Sequence, residues 1–192
     1  GESLYGIGGT NDGRIVTFLP VDASMAGLAV DLGTTKMAGY LMDLDSGKSL
    51  AKTGMMNPQV EYGDDVLSRI AFANEDNTGR RHLQRTVVDG ISELVEALCR
   101  DAGIERDQIV DAVVVGNTAM HHLFAGIAVR QLGLVPYVPA VGASLAFASD
   151  EIGLSLAPGA QIYMPPNIAG FVGADHVAML LATQAYEAEG TT

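Results

Sequence analysis

Cysteine is nearly absent: Cys99 stands alone among 192 residues. Neither an internal disulfide nor a cysteine-held metal cluster can be assembled within such a chain. Cys99 lies in a helical pattern and reads as a small buried hydrophobe. Cations are scarce too, with 11 Lys plus Arg against 23 Asp plus Glu and a net charge of −12. That balance repels phosphate backbones and anionic lipid, so no nucleic acid and no membrane is expected as a partner. A basic partner, or one met through a local patch, stays open. No apolar run approaches the roughly 20 residues of a membrane span, and no signal-peptide pattern opens the chain. A reducing, cytoplasmic setting is expected.

What is present suits a packed globular protein. A 48% hydrophobic fraction over 192 residues is enough for one large domain or two small ones with a sizeable core. The chain is organised around residues 28–36, Leu-Ala-Val-Asp-Leu-Gly-Thr-Thr-Lys. An apolar run ends in Asp31, a glycine and two hydroxyl residues follow, and apolar residues resume at Met37. The pattern predicts a buried strand, a tight turn and a second strand. Such a turn can present backbone N–H groups and the Thr34 and Thr35 hydroxyls to one point, which suits a phosphate. Asp31 at the strand end can hold a hydrated Mg²⁺, and Gly33 lets a ligand approach the backbone. An ordinary hairpin with a solvated aspartate is the alternative that the turn alone leaves open.

Residues 1–26 read as a linker and leading strand: glycine-rich to residue 13, then a strand over Arg14–Leu19. Strands over 28–32 and 37–44, a turn at Asp45-Ser46-Gly47 and a third strand over 48–55 give three antiparallel strands in succession. Residues 61–74 read as a helix, with Asp65 and Arg69 placed to pair one turn apart. Leu83, Val87, Ile91, Leu94, Val95 and Leu98 form a 3.6-period stripe for a long helix capped by Gly103. Residues 111–115 are apolar enough for a strand buried on both faces, followed by Gly116-Asn117-Thr118 and a helix over 119–124. The Pro- and Gly-punctuated stretch 129–159 reads as an insertion, with an extra strand at 144–147. A fifth core strand at 160–164 and a helix over 173–188 complete the order.

Three antiparallel strands, then helix, strand, helix, strand and helix, resemble the ribonuclease-H-like half of the actin, sugar-kinase and heat-shock-chaperone ATPase superfamily. The implied fold is α/β, a mixed five-stranded sheet with helices on both faces. Four segments read together carry a closer resemblance: 29–36 (AVDLGTTK), 57–70 (NPQVEYGDDVLSRI), 114–123 (VVGNTAMHHL) and 165–175 (PPNIAGFVGAD). They look like the ATPase region of the reductive activators of corrinoid proteins. That resemblance implies ATP and Mg²⁺ as cofactors and a corrinoid methyl-transfer protein as partner. It implies ATP-coupled reduction of cob(II)amide to cob(I)alamin, with electrons from a [2Fe–2S] domain of the parent protein. This chain has no cysteine set for such a centre, so residues 27–192 are expected to be the first ATPase lobe alone, facing a missing second lobe. An uncovered cleft face would favour weak self-association, and a homodimer is possible.

Asp31, Asn117 and Asp175 are the candidate catalytic residues, and Asp31 the candidate Mg²⁺ ligand through water. Gly33, Thr34, Thr35, Lys36, Gly116, Thr118 and Gly173 are the candidate nucleotide contacts. Several carry bland alternatives. Asn117 or Thr118 serves equally well as a helix cap, Asp175 as an acid favourable to a helix dipole, and Lys36 as a solvated edge lysine. Of His121 and His122, one is expected to pack inward and the other to face solvent. The Asn57-Pro58-Gln59 loop has no chemistry legible in its residues. A small-molecule kinase of the same superfamily, or a non-catalytic ATP-binding or protein-interaction lobe, are the other functions in view.

Overall fold

The computed structural model describes residues 4–8, 15–20, 22–76 and 78–185. Its centre is a six-stranded mixed sheet in the order β5-β4-β3-β6-β8-β7. β3 (Ala26–Leu32), β4 (Lys36–Asp43) and β5 (Ser49–Met56) form the antiparallel meander. β6 (Ile109–Gly116) lies parallel to β3, and β8 (Gln161–Met164) parallel to β6. Counting only the five core strands, the spatial order is third, second, first, fourth, fifth, the ribonuclease-H-like arrangement of an actin-like lobe. The sheet gains a sixth member from β7 (Leu145–Ala148), which pairs antiparallel with β8 at the edge. The insertion over 129–159 therefore contributes to the sheet.

One face of the sheet is closed. Leu28, Val30 and Leu32 of β3 alternate inward with Ala112 and Val114 of β6, as strand periodicity requires. They bury against α2 (Gly79–Ala102), whose stripe from Leu83 to Leu98 is entirely buried. Gly103 ends α2 in the left-handed conformation, φ 68°, its N–H returning to the Cys99 carbonyl. α1 (Val66–Glu75) and α3 (Thr118–Phe124) pack against α2. The opposite face carries α5 (Ala174–Thr183) over β6 and leaves Tyr40 and Tyr163 exposed.

Several expectations are corrected. Leu4–Gly8 forms β1, which pairs antiparallel with β2 (Ile15–Pro20) in a separate two-stranded sheet, so the glycine-rich start is not all linker. The helix expected over 61–74 divides into a 3₁₀ turn, Pro58–Tyr62, and α1, separated by Gly63 at φ 152°. Asp65 does not pair with Arg69: its carboxylate caps α1 by accepting from the Ser68 N–H at 2.7 Å, while Arg69 turns into the core. The last helix ends at Thr183, with Gln184 in the left-handed region; residues 186–188 of its expected span lie outside the described residues. His121 and His122 are both buried, and His122 is covered by a segment from beyond α3 whose Val141 N–H donates to His122 Nε2 at 3.2 Å.

Candidate functional site

The turn between β3 and β4 stands at the carboxyl ends of β3 and β6, where ligands of open α/β sheets bind. Its backbone is held from behind. The Asn57 side-chain amide donates to the Gly33 carbonyl at 2.8 Å, and the Asn57 N–H to the Thr35 carbonyl at 2.9 Å. Between them Arg69 Nη2 donates to the Thr34 carbonyl. Each carbonyl is anti to the N–H across its own planar trans peptide. Tying down the Gly33 and Thr34 carbonyls therefore turns the N–H groups of Thr34 and Thr35 away from the core. The N–H groups of Thr34 and Thr35 find no protein acceptor among the described residues. Gly33 itself admits no side chain, because a Cβ there would strike the Lys36 carbonyl.

Asn57 and Arg69 are buried, as is Gln59, whose amide donates to the Leu83 carbonyl at 2.9 Å. Arg69 also donates from Nε to the Gly63 carbonyl at 2.9 Å, and from Nη1 toward Gln59 Oε1 at 3.4 Å and the Met120 sulfur at 3.3 Å. Burial draws the Arg69 pKa down, while Asp64 and Asp65 pull it back up. The loop Asn57-Pro58-Gln59 is thus the rear buttress of the turn. It is missed from sequence because buttressing uses backbone carbonyls, which leave no residue-type signature; the only visible signal is an arginine on the apolar side of α1.

Asn117 closes the turn from the side. Its Oδ1 accepts from the Ala119 and Met120 N–H groups, both at 3.1 Å, capping α3, while its Nδ2 donates to Thr34 Oγ1 at 2.9 Å. Capping and a place beside the turn are therefore one arrangement, and Asn117 orients Thr34. Thr118, expected as a nucleotide contact, has a fully buried hydroxyl that donates to the Ala169 carbonyl at 2.6 Å and so ties α3 to the 165–173 loop. Lys36 is exposed at the start of β4, opposite Met56, and Thr35 is exposed beside it.

Asp175 arrives from the other side. A Cβ on Gly173 would strike the Gly116 carbonyl and lie 2.6 Å from the Asn117 carbonyl carbon, so glycine there permits α5 to start hard against the end of β6. Asp31 and Asp175 then line one end of a groove of about 360 Å³, whose remaining walls include Ala29, Val113, Val115 and Met179. Partial burial, and then the Asp175 charge, push the Asp31 carboxyl above its ordinary pKa. Asp175 Oδ1 accepts from the His176 N–H at 2.9 Å and lies 3.2 Å from its ring Nδ1. Two hard oxygen donors that repel each other suit a hydrated divalent cation with few protein ligands, as Mg²⁺ prefers. Asp31, Gly33, Thr34, Thr35, Gly116, Asn117, Gly173 and Asp175 are brought together; Thr118 is not.

The strand order and this turn define an actin-like ATPase-fold lobe. The chain belongs to the family of the RACo middle region, which matches residues 26–188. It is 33% identical over 171 residues to the corrinoid activation enzyme RamQ of Eubacterium limosum, covering 88% of this chain and 29% of that protein. A solved structure of a reductive activator for a corrinoid, iron–sulfur protein superposes with a TM-score of 0.86 at 37% identity, covering 91% of this chain and 28% of that one. The chain thus spans under a third of the length of either relative. No helix among the described residues is long and apolar enough to cross a membrane.

Proposed function

We propose that this lobe supplies one wall of the nucleotide-phosphate site of an ATP-dependent reductive activator of a corrinoid methyl-transfer protein. The substrate centre is an inactive cob(II)amide, returned to cob(I)alamin by one electron from a [2Fe–2S] domain outside this chain. The observation that carries the reading is the turn at 33–35, with its carbonyls tied to Asn57 and Arg69 and the N–H groups of Thr34 and Thr35 without a protein acceptor among the described residues. Those N–H groups and the Thr34 and Thr35 hydroxyls bind phosphate oxygens, Asn117 keeps Thr34 in place, and Gly33 permits close approach. Asp31 and Asp175, which line one groove, would hold Mg²⁺ through water, and Asp175 would polarise a water at the γ-phosphate. Mg²⁺, when bound, neutralises phosphate charge. A second lobe supplies the facing wall, since phosphoryl transfer needs groups converging from more than one side.

The test is anaerobic reduction of a corrinoid protein by the full-length protein carrying this chain, followed by the absorption of cob(I)alamin. Formation of cob(I)alamin that requires Mg·ATP and ceases with a non-hydrolysable analogue is expected. Reduction at the same rate and extent without nucleotide, or none with it, overturns the reading.

A further inference from the structure

We propose that Arg69 sets the anion preference of the turn: its buried guanidinium supplies a positive charge, without a carboxylate partner among the described residues, that a phosphate on the far side of residues 33–35 completes. The inference rests on the nucleotide reading above and assigns Arg69 as a positioning residue, since it reaches the ligand only through the backbone.

Arg69 is fully buried, and all four of its acceptors are neutral: two backbone carbonyls, the Gln59 amide oxygen and the Met120 sulfur. No carboxylate forms an ion pair with it among the described residues. Asp64 and Asp65 lie nearby, but both are exposed, and Asp65 is committed to capping α1. A guanidinium stays protonated in proteins, and burying its charge without a counter-ion is costly. Hydrogen bonding alone does not explain that expense, because a neutral amide does the same work one residue away, where Asn57 holds the Gly33 carbonyl. What arginine adds is charge. The Thr34 carbonyl that receives Nη2 belongs to the same peptide unit as the Thr35 N–H. A cation on the carbonyl polarises that unit and strengthens the N–H as a donor on its other side. In a chain of net charge −12, a local positive field directly behind the turn offsets the general repulsion of a phosphate.

The experiment is a ¹⁵N NMR titration of the full-length protein with Mg·ATP, reading the Thr34 and Thr35 amides and the Arg69 Nε–H. The latter is buried and bonded to the Gly63 carbonyl, which protects it from exchange. All three signals are expected to move with one Kd. Arg69→Lys, which keeps charge but loses the fork, should bind within about threefold of the native protein, whereas Arg69→Met should bind about tenfold or more weakly. Native-like affinity in Arg69→Met, or equal weakening in both variants, overturns the proposal. If neither variant folds, the native Nε–H decides: turn amides that move while it stays fixed refute the role of Arg69 alone. Turn amides unmoved by Mg·ATP refute the nucleotide reading and this inference together.

Discussion

Acid should unlock this fold through α3 before it protonates most carboxylates. His121 is 1% exposed, and neither ring nitrogen has a hydrogen-bond partner among the described residues. Burial, and secondarily the neighbouring His122, lower its pKa from 6.5 to about 4. An unfolded chain therefore takes up a proton at this position below pH 6.5, while the native protein refuses it until about pH 4. The unfolded state binds more protons throughout that window, so stability falls as pH falls through it, and is intact above it. The difference between 6.5 and about 4 corresponds to about 3 kcal/mol, of which most is lost by about pH 4.5. His122, also shifted downward by burial, adds in the same direction. Asp31 works the other way, because its raised pKa makes the native state the better proton binder just above the ordinary aspartate value. Comparison with His121→Phe removes these common contributions. Urea unfolding followed by circular dichroism at about pH 7.5 and about pH 4.5 should show the native protein losing about 2 to 3 kcal/mol more than the variant, about 1 M in midpoint. Equal losses in the two proteins would mean that His121 is not held neutral by burial.

Asp31→Asn in the full-length protein should lower Mg-dependent ATP turnover about tenfold or more, equivalent to about 1.4 kcal/mol in the transition state. Thermal stability should stay level or rise slightly, since the substitution relieves repulsion from Asp175; unchanged turnover with a large stability loss would make Asp31 structural. Thr118→Val should cost about 1 kcal/mol of stability, for the lost bond to the Ala169 carbonyl, and leave the Kd for Mg·ATP of the folded protein unchanged. A weakened Kd at unchanged stability would return Thr118 to the ligand.

The sheet was legible because its signals are local. Alternation and turn residues place β3, β4 and β5 to within two residues, and the six-residue stripe places α2. The failures share a cause in tertiary contact. Both histidines of α3 are buried, His122 beneath a distant segment that reaches it with the Val141 N–H, and helical periodicity cannot see a cover that comes from elsewhere in the chain. The strand expected at 144–147 is present one residue further on as β7, but its place beside β8, which makes the five expected strands six, is again a tertiary contact that four residues do not announce.

The candidate site divides in the same way. Residues that face outward from a strand end or a helix start, Asp31, Thr34, Thr35, Asn117 and Asp175, are visible in sequence because polar groups interrupt apolar runs there. The groups that aim the turn are hidden. Asp65 and Arg69, four apart on a helix, satisfy the rule for an exposed ion pair, and helical spacing alone favours that pairing. It fails because the alternative partner, the Thr34 carbonyl, is 35 residues away in sequence and offers nothing that a residue type can announce. An exposed pair at this spacing stabilises by only about 0.3 to 0.5 kcal/mol. Forgoing it costs little against the several kcal/mol of leaving a buried guanidinium without acceptors. Once Arg69 is inside, it must find carbonyls, and those within reach belong to the turn and to Gly63. The direction of the Thr34 and Thr35 N–H groups is thus fixed from the core side, by a residue that forms no ion pair among the described residues.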